Sequence, residues 1–323
     1  PPRLRQTEGF AMHEVVQTVG EIRPLRDPVL LAAFTGFTDT HGSAVAAVRY
    51  LAEQWNAQPL ATIEPERFYD FTVQRPRVHL ENNARVVTWP ENAFSVASPP
   101  GVDRDFLLFT GIEPHLRWKT FIEAMEDVLQ AVGCTTSITL ASQPAAVPHT
   151  RPLPVTLSAS HPEFEQIFGL KAPVSRYQGT TGIVGILKLN LRTLGGKNAS
   201  LWVLTPHYLT IGPNPNVGAS LVEYVDRGFG TTTARTGLEE QSVIFGDQVR
   251  EALEESSDVG AYIRQLEEQY DTERPSDATL MDPADAPGGS DDLPSSDELL
   301  DDLERFLRDQ QGDQPGSSGG TRS

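Results

Sequence analysis

Residues 29–55 read VLLAAFTGFTDTHGSAVAAVRYLAEQW, and this stretch decides the fold. VLLAAF (29–34) is short and apolar without interruption, as a strand covered on both faces is. TGFTDTHG (35–42) is polar loop. From Ser43 onward, Val45, Val48 and Leu51, with Ala44 and Ala47, recur at helical spacing. Strand, loop, helix is the reading. The same order returns at DFLLFT (105–110), GIEPH (111–115) and LRWKTFIEAMEDVLQAVG (116–133). There Trp118, Phe121, Ile122, Met125, Val128 and Leu129 form one apolar stripe, read as core, and Gly133 stops the helix. SITLAS (137–142) follows as a third apolar run, while YDFTV (69–73) and ARVVTW (84–89) alternate as strands do. Repeated strand–helix units predict an α/β sheet with both faces covered.

Downstream, IVGILKL (183–189) and SLWVL (200–204) read as strands, with GTTG (179–182) and Gly195–Gly196 as turns. A helix is expected over Ser220–Phe229. Leu238–Tyr270 is helical in pattern, broken near Ser256–Ser257–Asp258, with Asp258 as N-cap and Val259, Tyr262, Ile263, Leu266 and Tyr270 on one face. This divides the chain into an N-terminal extension (1–28), an α/β body (29–237), a helical segment (238–270) and an acidic tail (271–323).

Of the 323 residues, those up to 238 carry 21 acidic and 20 basic side chains, whereas 270–323 carry 14 and 4. The net charge of −18 therefore belongs almost wholly to the C-terminal quarter. Phosphate backbones repel such a tail, and no basic patch offsets it, so nucleic acid is excluded as an expected partner. No run of 18 apolar residues exists, so no membrane partner is expected either. Residues 1–25 hold no basic stretch followed by an apolar one, and the lone Cys134 rules out an internal disulfide or a cysteine zinc site. A cytoplasmic setting is the expectation.

Within the tail, 275–294 is rich in Pro, Gly, Asp and Ser and reads as a disordered linker. SSDELLDDLERFLRDQQ (295–311) then carries the signature of an amphipathic helix. Ser295 and Glu298 form a capping box, and Leu299, Leu300, Leu303, Phe306 and Leu307 share one stripe. A tethered helix of this kind suits a partner's groove, or folds back on its own domain or a neighbouring subunit.

The search for chemistry is mostly negative. The chain has no GxSxG elbow, no GxxxxGK[ST] loop, no GxGxxG after a strand, and no HExxH or HxxxH among its seven histidines. No metal and no cofactor is expected. Gly179, Gly182 and Gly185 read as a turn plus close strand packing, and Cys134 as a buried, inert thiol. One constellation remains. Loops that follow parallel strands converge on one sheet edge, and three such loops carry Asp39 with His41, Glu113 with His115, and His149 with Arg151. Together these six can hold a polar or anionic ligand or exchange protons. Alternatively Asp39 caps the helix at Ser43, Glu113 satisfies loop amides, and Pro148–Pro152 is a rigid turn.

The segments 30–55, 68–78, 85–94, 107–121, 148–152 (PHTRP) and 200–216 (SLWVLTPHYLTIGPNPN), in this order, carry a resemblance. The chain resembles the proteasome assembly chaperone family of the chaperone-two type, in its bacterial branch, over residues 29–265. The resemblance implies a three-layer α/β sandwich like that of purine nucleoside phosphorylases, with a central, largely parallel or mixed sheet. It also implies a non-enzymatic homo-oligomer, a trimer by that analogy, with proteasome subunits or another complex as partners. Some archaeal members dock through a C-terminal hydrophobic–tyrosine–any residue tail. This sequence ends Thr321-Arg322-Ser323, and Tyr270-Asp271 lies far upstream, so that route is not carried over. The 295–311 segment is the expected substitute. The rival expectation is a nucleoside- or phosphate-type binding protein, hydrolase or phosphorylase, working from the strand-end loops.

Overall fold

In the computed structural model, which describes residues 12–39, 41–175, 177–254 and 259–273, the VLLAAF run lies inside an eight-stranded sheet. The chain opens with β1 (Val16–Thr18), β2 (Val29–Thr35) and α1 (Ser43–Gln54). β3 (Gln58–Ile63) leads to a separate hairpin, β4 (Arg77–Glu81) with β5 (Ala84–Thr88), and then to β6 (Ala93–Ala97) and β7 (Phe106–Ile112). Next come α2 (Trp118–Val132), β8 (Thr136–Ala145) and β9 (Val155–Ala159). α3 (Glu163–Phe168) and α4 (Ile183–Thr193) precede β10 (Lys197–Pro206). α5 (Pro215–Phe229), α6 (Thr236–Glu254) and α7 (Val259–Glu273) close the described chain.

The strand order is β1-β3-β6-β7-β2-β8-β10-β9. The four in the middle, β7, β2, β8 and β10, run parallel, and antiparallel pairs flank them on both sides. Alternation along β2 explains the layers. Val29, Leu31 and Ala33 join the core under α1, α3 and α5, whereas Leu30, Ala32 and Phe34 join the core under α2 and α4. The result is a three-layer α/β sandwich. Phe109 sits between Phe34 and Phe94, at ring-centroid distances of 5.0 and 4.6 Å. A buried aromatic of this kind contributes about 1.5–3 kcal/mol from burial alone.

Four readings of local structure change. IVGILKL is not a strand but the first two turns of α4, with Ile183, Val184, Leu187 and Leu191 buried at helical spacing. A short apolar run does not by itself separate a buried strand from a buried helix. Gly185 therefore belongs to a helix rather than to strand packing, and a Cβ there would come within 2.0 Å of Thr181 Oγ1. YDFTV is not a strand either. Asp70 Oδ1 accepts from both Thr72 N (2.8 Å) and Thr72 Oγ1 (2.6 Å), and this side-chain turn overrides the apparent alternation. Finally, α5 starts at Pro215 rather than Ser220, because Asn214 caps it by accepting from Asn216 N at 3.0 Å, with Pro215 at the first helical position.

Cys134 sits where α2 turns into β8, 7% exposed, its thiol donating to Pro28 O and Thr136 O. Burial pushes that thiol up to about 12. The Ser256–Asp258 break, the 275–294 linker and the 295–311 segment with Leu299, Leu300, Leu303, Phe306 and Leu307 lie outside the described residues.

Candidate functional site

β2 and β7 run parallel and end together, Thr35 opposite Ile112. The loops that leave them form one wall of a cleft of about 1170 Å³ at the carboxyl edge of the sheet. Gly36, at φ +132°, lets the first loop turn away, and a Cβ there would come within 2.9 Å of Glu113 Cβ. Glu113 N continues the ladder by donating to Thr35 O at 2.9 Å. Its carboxylate then accepts from Phe37 N at 3.1 Å and from Ile183 N, the first amide of α4, at 2.7 Å. One acid thus ties a loop, a strand and the positive end of a helix together.

Asp39 lies beneath the cleft, 0% exposed. Its carboxylate accepts from Ser142 Oγ at 2.5 Å and from Val45 N at 2.9 Å. Burial raises its pKa, and the bonds from Ser142 and the amides of residues 43–45 oppose that rise. His115 reaches the cleft with its Nδ1 accepting from Asp70 N at 3.0 Å, and its ring meets Tyr69 edge-on. Burial also raises the phenol of Tyr69, whose hydroxyl donates to Ile112 O (2.6 Å) and bonds Asn92 Oδ1 (2.8 Å). His41, on the same wall, is exposed and presses on Gly212, where a Cβ would come within 2.4 Å of its own Cβ.

Three of the six strand-end residues therefore share the cleft: His41, Glu113 and His115. Asp39 is under its floor. His149 and Arg151 stand elsewhere, beneath α7. His149 N donates to Tyr208 Oη at 2.8 Å, and Arg151 meets Asp271 through Nε (2.9 Å) and Nη2 (2.7 Å) and Glu267 through Nη1 (3.3 Å). Tyr270 Oη adds a bond to Pro152 O at 2.9 Å. Burial lowers the pKa of His149, with the Glu267 charge opposing it.

Sequence reasoning missed the part of the cleft lining that Arg49, Tyr50, Arg75, Arg77 and Trp89 supply. Arg49, Arg75 and Arg77 make no ion pair among the described residues. A signal for part of this lining was present: Asn82–Asn83 between two alternating runs is a two-residue hairpin turn, and both residues have positive φ, 47° and 67°. Among the described residues no cluster of His, Cys, Asp or Glu is arranged for a metal, and no helix is long and apolar enough to cross a membrane.

Fold and cleft define an α/β sandwich with a ligand-sized recess at the strand ends and a ribbon projecting beside it. A family model described as the PAC2 family matches residues 33–253, and the chain belongs to that family. Among solved structures it is similar to a PAC2 family protein from Streptomyces avermitilis, at 32% identity and TM-score 0.65, over 73% of this chain and 99% of that one. It is equally similar to a Mycobacterium tuberculosis proteasome-assembly chaperone homologue, at 32% identity and TM-score 0.64, with the same coverage. An archaeal proteasome activator from Pyrococcus furiosus, at 19% identity, TM-score 0.59 and 74% and 99% coverage, shares the fold. No curated protein matches the chain.

Proposed function

We propose that this chain is a non-enzymatic assembly chaperone or adaptor of the cytoplasm, proteasome-related, acting through self-association and protein contacts. The observation that carries the reading is how the strand-end acids are used. Glu113 is bonded to amides that hold the scaffold, and Asp39 to an amide and to Ser142 Oγ, a hydroxyl that is itself buried. Hydrolytic or transfer chemistry needs a base free to move a proton. Family membership and the proteasome-linked relatives supply the partner class. In this reading Leu299, Leu300, Leu303, Phe306 and Leu307 of the acidic tail form the contact that a partner's groove receives.

Affinity capture from native cytoplasm tests this, with full-length protein beside a 1–274 truncation and mass spectrometry as the readout. The reading expects stoichiometric recovery of proteasome subunits with the full chain and loss of that recovery with the truncation. Recovery of the bait alone in both samples overturns it.

One observation favours a second reading, a site for a nucleoside- or phosphate-type ligand. Arg49, Arg75 and Arg77 line the cleft and make no ion pair among the described residues, although Glu53, Glu91 and Glu113 line it too. A ligand present at about a hundred times its dissociation constant stabilises the native state by about 2.7 kcal/mol. Thermal shift with inorganic phosphate and nucleosides, repeated on Arg75→Ala, therefore checks it. A flat melting temperature in all of them removes this reading.

A further inference from the structure

Five charged side chains of both signs line the strand-end cleft, and none of them is paired with another. Arg49 and Glu53 belong to α1, Arg75 precedes the hairpin, Arg77 opens β4, and Glu91 follows the hairpin. None of the five makes an ion pair among the described residues. Arg49 and Glu53 stand four apart on one helix, the spacing at which such pairs form, and still do not meet. Glu113, the third acid of the lining, is different, because Phe37 N and Ile183 N take up its carboxylate. The amides that open α1 and α4 are likewise spent, on Asp39 and Glu113. The three guanidiniums are available to an anion, and their planar forks match phosphate oxygens two at a time.

This mixture narrows the ligand. A neutral nucleoside leaves all three arginines unmatched, and a single phosphate matches fewer of them than a chain of two or three does. A phosphate chain alone meets Glu53 and Glu91 with like charge. A nucleotide resolves that conflict, because its ribose hydroxyls donate to carboxylates. Trp89 adds a further requirement. It is 52% exposed where the hairpin ends, with the Phe71 ring meeting it edge-on at a centroid distance of 5.1 Å, and a half-exposed indole held in this way is a stacking platform for a flat base. The cleft, at about 1170 Å³, admits a molecule of that size. We propose that it binds a nucleoside di- or triphosphate, with the phosphates on Arg49, Arg75 and Arg77, the base against Trp89, and the ribose hydroxyls donating to Glu53 or Glu91. The proposal rests on the ligand reading of the cleft given above and names the ligand class for it. No bond is made or broken there.

Isothermal titration of the full chain tests it, with the diphosphates of adenosine, guanosine, cytidine and uridine, the four nucleosides, inorganic phosphate and tripolyphosphate as probes. Nucleoside and phosphate, as fragments, are expected to bind weakly. At least one diphosphate should bind about tenfold or more tightly than its nucleoside, inorganic phosphate or tripolyphosphate. Arg75→Ala and Arg77→Ala should each weaken that diphosphate about tenfold. Trp89→Ala should weaken it by a similar factor and leave tripolyphosphate binding unchanged, which also shows that the variant is folded. Arg85→Ala, at an exposed position of the hairpin outside the cleft lining, should change nothing. If the fragments bind and no diphosphate exceeds them, the nucleotide assignment is wrong while the ligand reading stands. If Arg85→Ala weakens binding as much as Arg75→Ala does, the attraction is diffuse and the cleft assignment is wrong. A chain that binds none of the probes overturns both the nucleotide and the ligand reading.

Discussion

β2 and β4 are both short, aliphatic strands of one chain, yet their surroundings are opposite. Six of the seven β2 residues are buried, and all five β4 residues are exposed. In β2 each side chain is fixed by a helix layer above or below, so its identity answers to packing. In β4 nothing within the described chain explains Val78 or Leu80. The contrast teaches that aliphatic content alone does not mark a core: the same residue types stabilise the fold in one place and present a surface in the other.

The largest break in that contrast comes from the covered side. Phe109→Ala removes a ring packed against Phe34, Phe94 and Phe121, and should cost about 3–5 kcal/mol in urea unfolding. Asp39→Ala comes next, at about 2–3 kcal/mol, because it leaves Ser142 Oγ and the first amides of α1 without their buried acceptor. Asp39 also has a pH signature. Its raised folded pKa means that the native state holds the proton more tightly than the unfolded chain. Its contribution is therefore fully present below about pH 3.9 and declines as pH rises through the folded value. Asp39→Asn should remove that slope, so wild-type stability relative to the variant falls as pH rises from about 4.

A smaller effect is expected at α7, whose exposed ion pairs place it between the two extremes. The lowered pKa of His149 favours the neutral ring, so the docking of α7 is complete above about pH 6.5 and weakens as pH falls through the folded value. Hydrogen exchange corrected for intrinsic rate should show α7 amides opening a few-fold more often at pH 5.5 than at 7.5, and in Arg151→Ala at either pH. On the bare side, Leu80→Ser should change monomer stability by no more than about 0.5 kcal/mol. A loss of several kcal/mol there would mean that the ribbon is packed after all.

The two regions also differ in how far the sequence revealed them. The Trp118–Val132 stripe is legible because a long, strongly periodic pattern has one stable solution, and VLLAAF because the polar loop and periodic helix that follow frame it as a strand. The 183–189 run is not, since five aliphatic residues in seven fit a strand and a helix alike until the Leu191 turn is counted. Asp70 and Thr72 concealed a side-chain turn inside an alternating pattern. Of the strand-end residues, Glu113 does fall between the β2 and β7 loops, but its bond to Ile183 N is invisible in a sequence pattern that reads 183–189 as a strand. His149 and Arg151 were grouped with the others by loop order alone, and the side-chain bonds to α7 that take them elsewhere are long-range. The lining at Arg49, Arg75 and Arg77 depended on a hairpin that was only half recognised.

Cys134 has a practical consequence. It is the sole cysteine, and burial pushes its thiol up to about 12. At neutral pH it stays a thiol, and its burial shields the sulfur from maleimides. The natural chain is thus a ready background for single-site dye chemistry. A cysteine placed at the Asn83 tip would take one fluorophore and no other, and energy transfer between two such chains would report directly on self-association.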